Sequence, residues 1–257
     1  MIPNIGFGTY KLDKNTTYQM VKQALQIGYR HIDTANLYQN EIQVGQAIKD
    51  SGVNRKEIFI TTKISINHIK KGDNGIFLSI RESLLKLDVE YIDLILLHGP
   101  VKNKIISSWK MLERILLGEI MDIKILNIGV SNYNIDNLKI ILDNCKIKPL
   151  VNQIEINLYL QRAELYNFCV EHDIQIISHT SLIRRLKFNC EKLESLSKKY
   201  NLSKSNILLL WLLNKNIKII PSTTNYVHLI ENFNIQYKIL DNLEEFDENF
   251  SLFPQYL

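Results

Sequence analysis

Cysteine is scarce: three residues, Cys145, Cys169 and Cys190, lie far apart in a chain of 257. An odd set with no CxxC pair builds no disulfide framework and points to a reducing compartment. No run of about 18 apolar residues occurs, so no membrane-spanning helix is expected. The opening MIPNIGFGTY has neither a basic segment nor an apolar core, so no signal peptide is expected either. Lys and Arg outnumber Asp and Glu by 31 to 27 but never bunch, which reads as a solvated face and not a nucleic-acid footprint. The six histidines (His31, His68, His98, His172, His179 and His228) show no HxxxH or HExxH spacing, so no metal is expected. Repeats, low-complexity tracts and Pro/Gly-rich linkers are missing too, and one domain over residues 1–257 follows. The N-x-S/T triplets at Asn15, Asn201 and Asn249 are then chance matches in a cytoplasmic, soluble protein.

What is present is an alternation of short apolar runs and amphipathic stretches, within an ordinary 46% hydrophobic and 23% charged composition. Strand-like runs cover residues 5–7, 29–33, 58–63, 92–97, 124–130, 150–155, 175–178 and 217–220. Between them, Met20, Val21, Ala24, Leu25 and Ile27 recur at helical spacing, with Gly28 as a stop. Residues 79–87, 107–117, 135–142, 164–171, 193–200 and 204–213 read similarly, and another helix is expected after Tyr38. Strands alternating with helices imply a parallel sheet covered by helices. An open doubly wound sheet that binds a dinucleotide usually begins with GxGxxG, and GFGTYK does not match. The count of eight favours an α/β fold of the (β/α)8 TIM-barrel type.

In that barrel the working residues sit at the C-terminal ends of the strands. Asp33 ends the second run, with Tyr38 in the loop beyond it. Lys63 ends the third and His98 the fourth. Ser131 and Asn132 follow the fifth, and Gln153 lies in the sixth. Taken singly each has a structural explanation: a turn cap for Asp33, packing for Tyr38, solvation for Lys63, a core hydrogen bond for His98. Their common placement at strand ends is what carries the functional reading. A phenol with a reference pKa near 10 is a poor proton donor unless its surroundings stabilise the phenolate. Lys63 could lower that value, and Asp33 could hold the ammonium. His98 could donate to a substrate oxygen. Together they fit carbonyl reduction, in which hydride from a cofactor reaches carbon and Tyr38 protonates the alkoxide.

The segment GYRHIDTANLYQNEIQVG closely resembles the long signature of the aldo-keto reductases, (β/α)8 barrel enzymes that use a nicotinamide cofactor. The resemblance runs on through EIFITTKI, YIDLILLHGP, IGVSNY, VNQIEINLYLQ and LLLWLLNKNIKIIPSTTN to LIENFNI. It implies a catalytic tetrad of Asp33, Tyr38, Lys63 and His98, with Tyr38 as the general acid. Ser131, Asn132 and Gln153 would contact the nicotinamide amide. Gly8, Thr9 and Lys11, with Asp33, would lie beside the cofactor, and Glu231 and Asn232 would contact its adenine end. Tyr10, Tyr38, His98 and Gly99 would line the substrate pocket. A small carbonyl compound is the implied partner, and a monomer the implied state.

Several positions depart from the family pattern. His179 stands where an aromatic ring stacks on the nicotinamide. The family's HWP reads His98-Gly99-Pro100 here, and a lost indole removes about 150–250 Å² of aromatic wall. That predicts a roomier or differently lined pocket, with Tyr10 as a remaining wall. Where the family clasps the cofactor's phosphate with a Lys and an Arg, this chain has Ser222 and His228. Ser222, Thr223 and Thr224 could bond a phosphate or a free ribose hydroxyl instead. The resemblance implies NADP(H) as the cofactor first, with NAD(H) as an alternative because both cations are gone. The chain starts almost on its first strand, so a plugging N-terminal hairpin is expected to be short or absent. The acidic, aromatic tail EEFDENFSLFPQYL is expected to pack over the barrel and leave an open pocket. A second reading, a barrel that binds cofactor or metabolite with little turnover, rests on the same departures.

Overall fold

Parallel strands of two to six residues build the core of the computed structural model, which describes residues 1–241 and 243–256. The chain opens with β1 (Phe7–Gly8), α1 (Lys14–Ile27), β2 (His31–Asp33) and α2 (Glu41–Asp50). It continues with β3 (Phe59–Ile64), α3 (Ile66–Lys70), α4 (Gly72–Leu87), β4 (Leu94–Leu97) and α5 (Ile105–Leu116). Next come β5 (Ile128–Ser131), α6 (Ile135–Leu142), β6 (Val151–Glu155), α7 (Ala163–Glu171) and β7 (Gln175–His179). The last elements are α8 (Glu191–Tyr200), α9 (Lys204–Asn214), β8 (Lys218–Ile219) and α10 (Tyr226–Phe233).

The strands pair in sequence order from β1 to β8, all parallel. A parallel bridge between Ile5 and Ile219 brings the two edges together. There the Gly6 N–H donates to the Ile219 carbonyl at 2.8 Å, and the Ile219 N–H donates to that of Asn4 at 2.9 Å. The predicted (β/α)8 barrel is the fold. Side-chain alternation along β4 shows how it is filled. Leu94 and Leu96 join Ile2, Val151, Ile177 and Ile220 in a cluster inside the barrel. Ile95 and Leu97 point the other way, into the larger layer packed between strands and helices.

Local chemistry explains the boundaries. Asp13 caps α1, its carboxylate accepting from the Thr16 N–H at 2.9 Å, so this helix starts six residues before the periodic run that predicts it. Gly28 ends it at φ 128, a conformation that favours glycine. The fifth and eighth runs are longer in sequence than the strands they form, because the ladder covers only residues 128–131 and 218–219. Two helices went unread. The five-residue α3 is too short for periodicity, and α10 exposes Tyr226 and Val227 while burying Leu229 and Asn232.

Candidate active site

The C-terminal ends of the strands surround a cavity of about 430 Å³. β2 delivers Asp33 as its last residue, and a short turn at Asn36–Tyr38 brings Tyr38 back over it. Lys63 lies next to last in β3, with β2 at its side. Its Nζ is 2.5 Å from Asp33 Oδ1 and donates to the Thr34 carbonyl at 2.9 Å and the Tyr38 hydroxyl at 3.3 Å. Gln153 of β6 donates its amide to the other Asp33 oxygen at 2.7 Å. Both Asp33 oxygens are thereby engaged, which fixes the carboxylate and aims the ammonium at the phenol.

The buried charges are mutually dependent. Burial pulls the Lys63 pKa down, but Asp33, followed by Tyr38, more than offsets it, so the net direction is up and the ammonium persists. For Tyr38 burial is the largest influence and raises the phenol; Lys63 opposes it without reversing it. The sequence reading expected a net lowering. Lys63 acts in the expected sense, and desolvation outweighs it.

His98 directly follows β4, its N–H donating to the Ile64 carbonyl at 3.1 Å. Its ring lies edge-on to Tyr38, with centroids 5.8 Å apart. Burial, aided by the Lys63 charge, pulls its pKa down to about 3, so the imidazole is neutral. Its Nδ1 is buried with no hydrogen-bond partner among the described residues. Asn132, in a left-handed conformation at φ 62, ties this wall together. It donates to the His98 carbonyl at 3.0 Å and to Ser131 Oγ at 3.1 Å, and its Oδ1 meets His179 Nε2 at 2.9 Å. His179 is held to about pKa 3, by burial first and then by Lys63.

Of the predicted residues, Gly8, Tyr10, Lys11, Asp33, Tyr38, His98, Ser131, Asn132, Gln153, His179 and Ser222 line the cavity. Lys63 stands behind them, 1% exposed. Thr9 is buried, its hydroxyl donating to the Asp33 carbonyl at 3.1 Å. Thr223, Thr224, His228, Glu231 and Asn232 lie outside the cavity wall, around the start of α10 and along it. Tyr10 packs on Tyr38 at 5.0 Å, as a remaining aromatic wall should.

Gly99 lies behind the cavity wall, next to Tyr256. It does not line the cavity. A side chain there would meet Ile66 at 3.2 Å and the Tyr256 ring at 3.6 Å, so the space left by the missing indole is occupied. The pocket is therefore differently lined and not simply more open. Phe253, Gln255 and Tyr256 of the C-terminal segment form part of its wall, as do Leu37, Leu182 and Arg184. The expected packing of the tail over the barrel is found, but its individual pocket residues went unread because they follow no periodicity. The segment around Arg184 could have been found, since it follows β7 and such loops build the mouth of a barrel. There Ile183, Arg184 and Arg185 are all left-handed, at φ 51, 48 and 65. Each such non-glycine residue costs about 1–2 kcal/mol, and the turn holds Arg184 near Phe253, its guanidinium 5.4 Å from the ring centroid.

Residues 4–246 match the model of the aldo/keto reductase family. The chain belongs to that family. It is 36% identical over 235 residues to the glyoxal reductase of Bacillus subtilis (strain 168), spanning 91% of this chain and 83% of that protein. A solved aldo-keto reductase from a Medee basin deep-sea metagenome library superposes with a TM-score of 0.92 at 33% identity, covering 98% and 94% of the two chains. An aldo-keto reductase complexed with NADPH superposes with a TM-score of 0.89 at 29% identity, covering 97% and 86%. Like its family, this aldo/keto reductase carries out nicotinamide-dependent reduction of aldehydes and ketones.

The cavity fits a nicotinamide on its own terms. Ser131, Asn132 and Gln153 line it, and the His98 ring, its Nδ1 without a hydrogen-bond partner among the described residues, stands edge-on to Tyr38. Ser222 is exposed at the cavity wall, and Lys11 and Arg184 are the lysine and arginine among the residues that line it.

Proposed function

We propose that this reductase acts on aldehydes, ketones and small dicarbonyls, with Tyr38 as the general acid. Relatives named for glyoxal and methylglyoxal reduction support that substrate range. The observation carrying the mechanism is the single ammonium of Lys63, which contacts both Asp33 and Tyr38 behind the cavity wall. When bound, the reduced nicotinamide supplies the hydride. His98, kept neutral, donates an N–H to the carbonyl oxygen as negative charge builds there. Tyr38 then gives its proton to that oxygen, and Lys63 stabilises the phenolate left behind. Asp33, itself held by Gln153, keeps Lys63 in place. Ser131, Asn132 and Gln153 serve the nicotinamide amide, and Gly8, Thr9, Lys11 and His179 flank the ring. The chain works as one domain, as a monomer in the cytoplasm, with no nucleic-acid partner.

Both NADPH and NADH serve as cofactor in this reading, because Ser222 and His228 offer no permanent cation to a ribose phosphate. Ser222, Thr223 and Thr224 offer hydroxyls, with Glu231 and Asn232 toward the adenine end. Nothing in the site favours the non-catalytic reading, since each of the four proton-transfer residues is present and in contact with another.

The test is absorbance at the reduced-nicotinamide band, with NADPH and NADH in parallel against glyoxal, methylglyoxal and simple aldehydes. Turnover that disappears in Tyr38→Phe is expected. Full activity in that variant would refute the proton-transfer role.

A further inference from the structure

β6 ends in Glu155, two residues after Gln153, and strand alternation puts both side chains on the same face. Gln153 serves Asp33 there, whereas Glu155 serves no group of the proton-transfer site. It is 3% exposed, and a carboxyl group so deep in protein needs hydrogen-bond partners. Among the described residues, its hydrogen bonds come from one stretch of the C-terminal segment. The Ser251 hydroxyl donates to Oε2 at 2.6 Å, the Leu252 N–H to Oε1 at 2.9 Å, and the Phe253 N–H to Oε2 at 3.1 Å. Seven residues after Glu155, Arg162 donates to the Tyr256 carbonyl. An acid at the end of β6 and a base in the loop beyond it thus grip the tail backbone at residues 251–253 and 256, and the cavity residues Phe253, Gln255 and Tyr256 lie within that span.

Two of those residues are aromatic. Phe253 sits edge-on to His179 at 5.6 Å, and the Tyr256 ring covers Gly99. Tyr10 and Tyr38 stand in the same cavity. A small dicarbonyl that reaches Tyr38 and His98 has no need of the tail. A planar aromatic aldehyde extends beyond them and needs a wall to lie against.

Building on the reductase reading above, we infer that Glu155 is a positioning residue: it latches the C-terminal segment so that Phe253 and Tyr256 form the wall that selects planar aromatic carbonyl substrates. Glu155 takes no part in the proton transfer, so breaking its grip should act on the binding of long substrates and not on chemistry.

The experiment compares the full-length protein with Glu155→Gln, which puts N–H donors where the tail needs acceptors. Two readouts are taken: hydrogen exchange across residues 250–256, and KM and kcat for benzaldehyde and for glyoxal. Exchange of the Leu252 and Phe253 amides should rise at least tenfold. KM for benzaldehyde should rise about tenfold, the equivalent of one lost hydrogen bond, with kcat and the glyoxal KM within twofold. Unchanged exchange would overturn the latch. Equal changes for both substrates, or a fall confined to kcat, would overturn the selection. Should the wild-type protein reduce neither compound, the reductase reading fails while exchange still judges the latch. If Glu155→Gln does not fold, Ser251→Ala carries the same two readouts, with a roughly threefold rise in the benzaldehyde KM expected and no rise overturning the proposal.

Discussion

The Lys63 ammonium lies 2.5 Å from Asp33, with the two side chains 0% and 3% exposed. Water therefore does almost nothing to stabilise either charge, and each depends on the other. Removing one partner of such a pair typically costs about 3–5 kcal/mol. Lys63→Met should lose stability of that order in urea unfolding, and Asp33→Asn/Lys63→Met should lose less than the sum of its single variants. Additive losses would show that the two residues are not coupled.

Replacing Tyr38 with Phe keeps the ring packing on Tyr10 and His98 but deletes the proton. A positioned acid contributes about 10²–10⁴ in rate, so kcat should fall by that factor while the dissociation constant of the reduced cofactor, followed by fluorescence, holds. A parallel loss of cofactor affinity would point to a disturbed pocket in place of a lost donor.

The direction of the Tyr38 shift makes a pH prediction. Because burial raises the phenol above its ordinary value, the donor stays protonated through neutral and mildly alkaline pH. His98, lowered to about 3, stays neutral over the same range. The kcat for reduction should be flat from about pH 6 to 9 if chemistry limits the rate. A step near pH 7 in a chemistry-limited assay would assign an ionisation that neither residue provides.

Stability should respond to acid in the opposite sense to a salt-bridged histidine. His31, His98 and His179 are each lowered to about 3 by burial. Their unfolded forms bind protons first, so stability is full above about pH 7 and falls as pH drops through 6.5 toward 3. From pH 7.5 to 5.5 the loss is about 1.4 kcal/mol per histidine. Denaturant unfolding at those two values measures it, and equal midpoints would contradict the burial of these rings as neutral species.

A cation restored at the phosphate end should discriminate between cofactors. Ser222 is exposed beside the cavity, and a hydrogen bond to a charged group is worth about 1.5–3 kcal/mol. Ser222→Lys should tighten NADPH relative to NADH by about tenfold or more in a fluorescence titration. An unchanged ratio would place the ribose phosphate elsewhere.

The barrel was legible because its strands carry apolar runs and its helices a clear period, and because Asp33, Lys63 and His98 each close or follow such a run. The partners of those residues were less so. Nothing in the sequence says that Gln153 serves Asp33 as well as any ligand, since that contact joins residues 120 apart. The net rise at Tyr38 was hidden because it is a contest between burial and Lys63, and burial is a property of the folded chain. Glu155 read simply as the end of a strand, and its partners at residues 251–253 lie nearly a hundred positions on.

The seam between β1 and β8 ties residues as distant as Asn4 and Lys218, whose side chains meet at 3.2 Å across 214 positions. During synthesis the first lip of that seam leaves the ribosome 214 residues before its mate appears. Until then the growing sheet is an open ribbon with unsatisfied backbone at its margin, the kind of edge that recruits other chains. The last strand to emerge is thus the one that turns a sticky ribbon into a closed vessel. A lesion near Lys218 would be felt first as aggregation of nascent protein, before any question of catalysis arises.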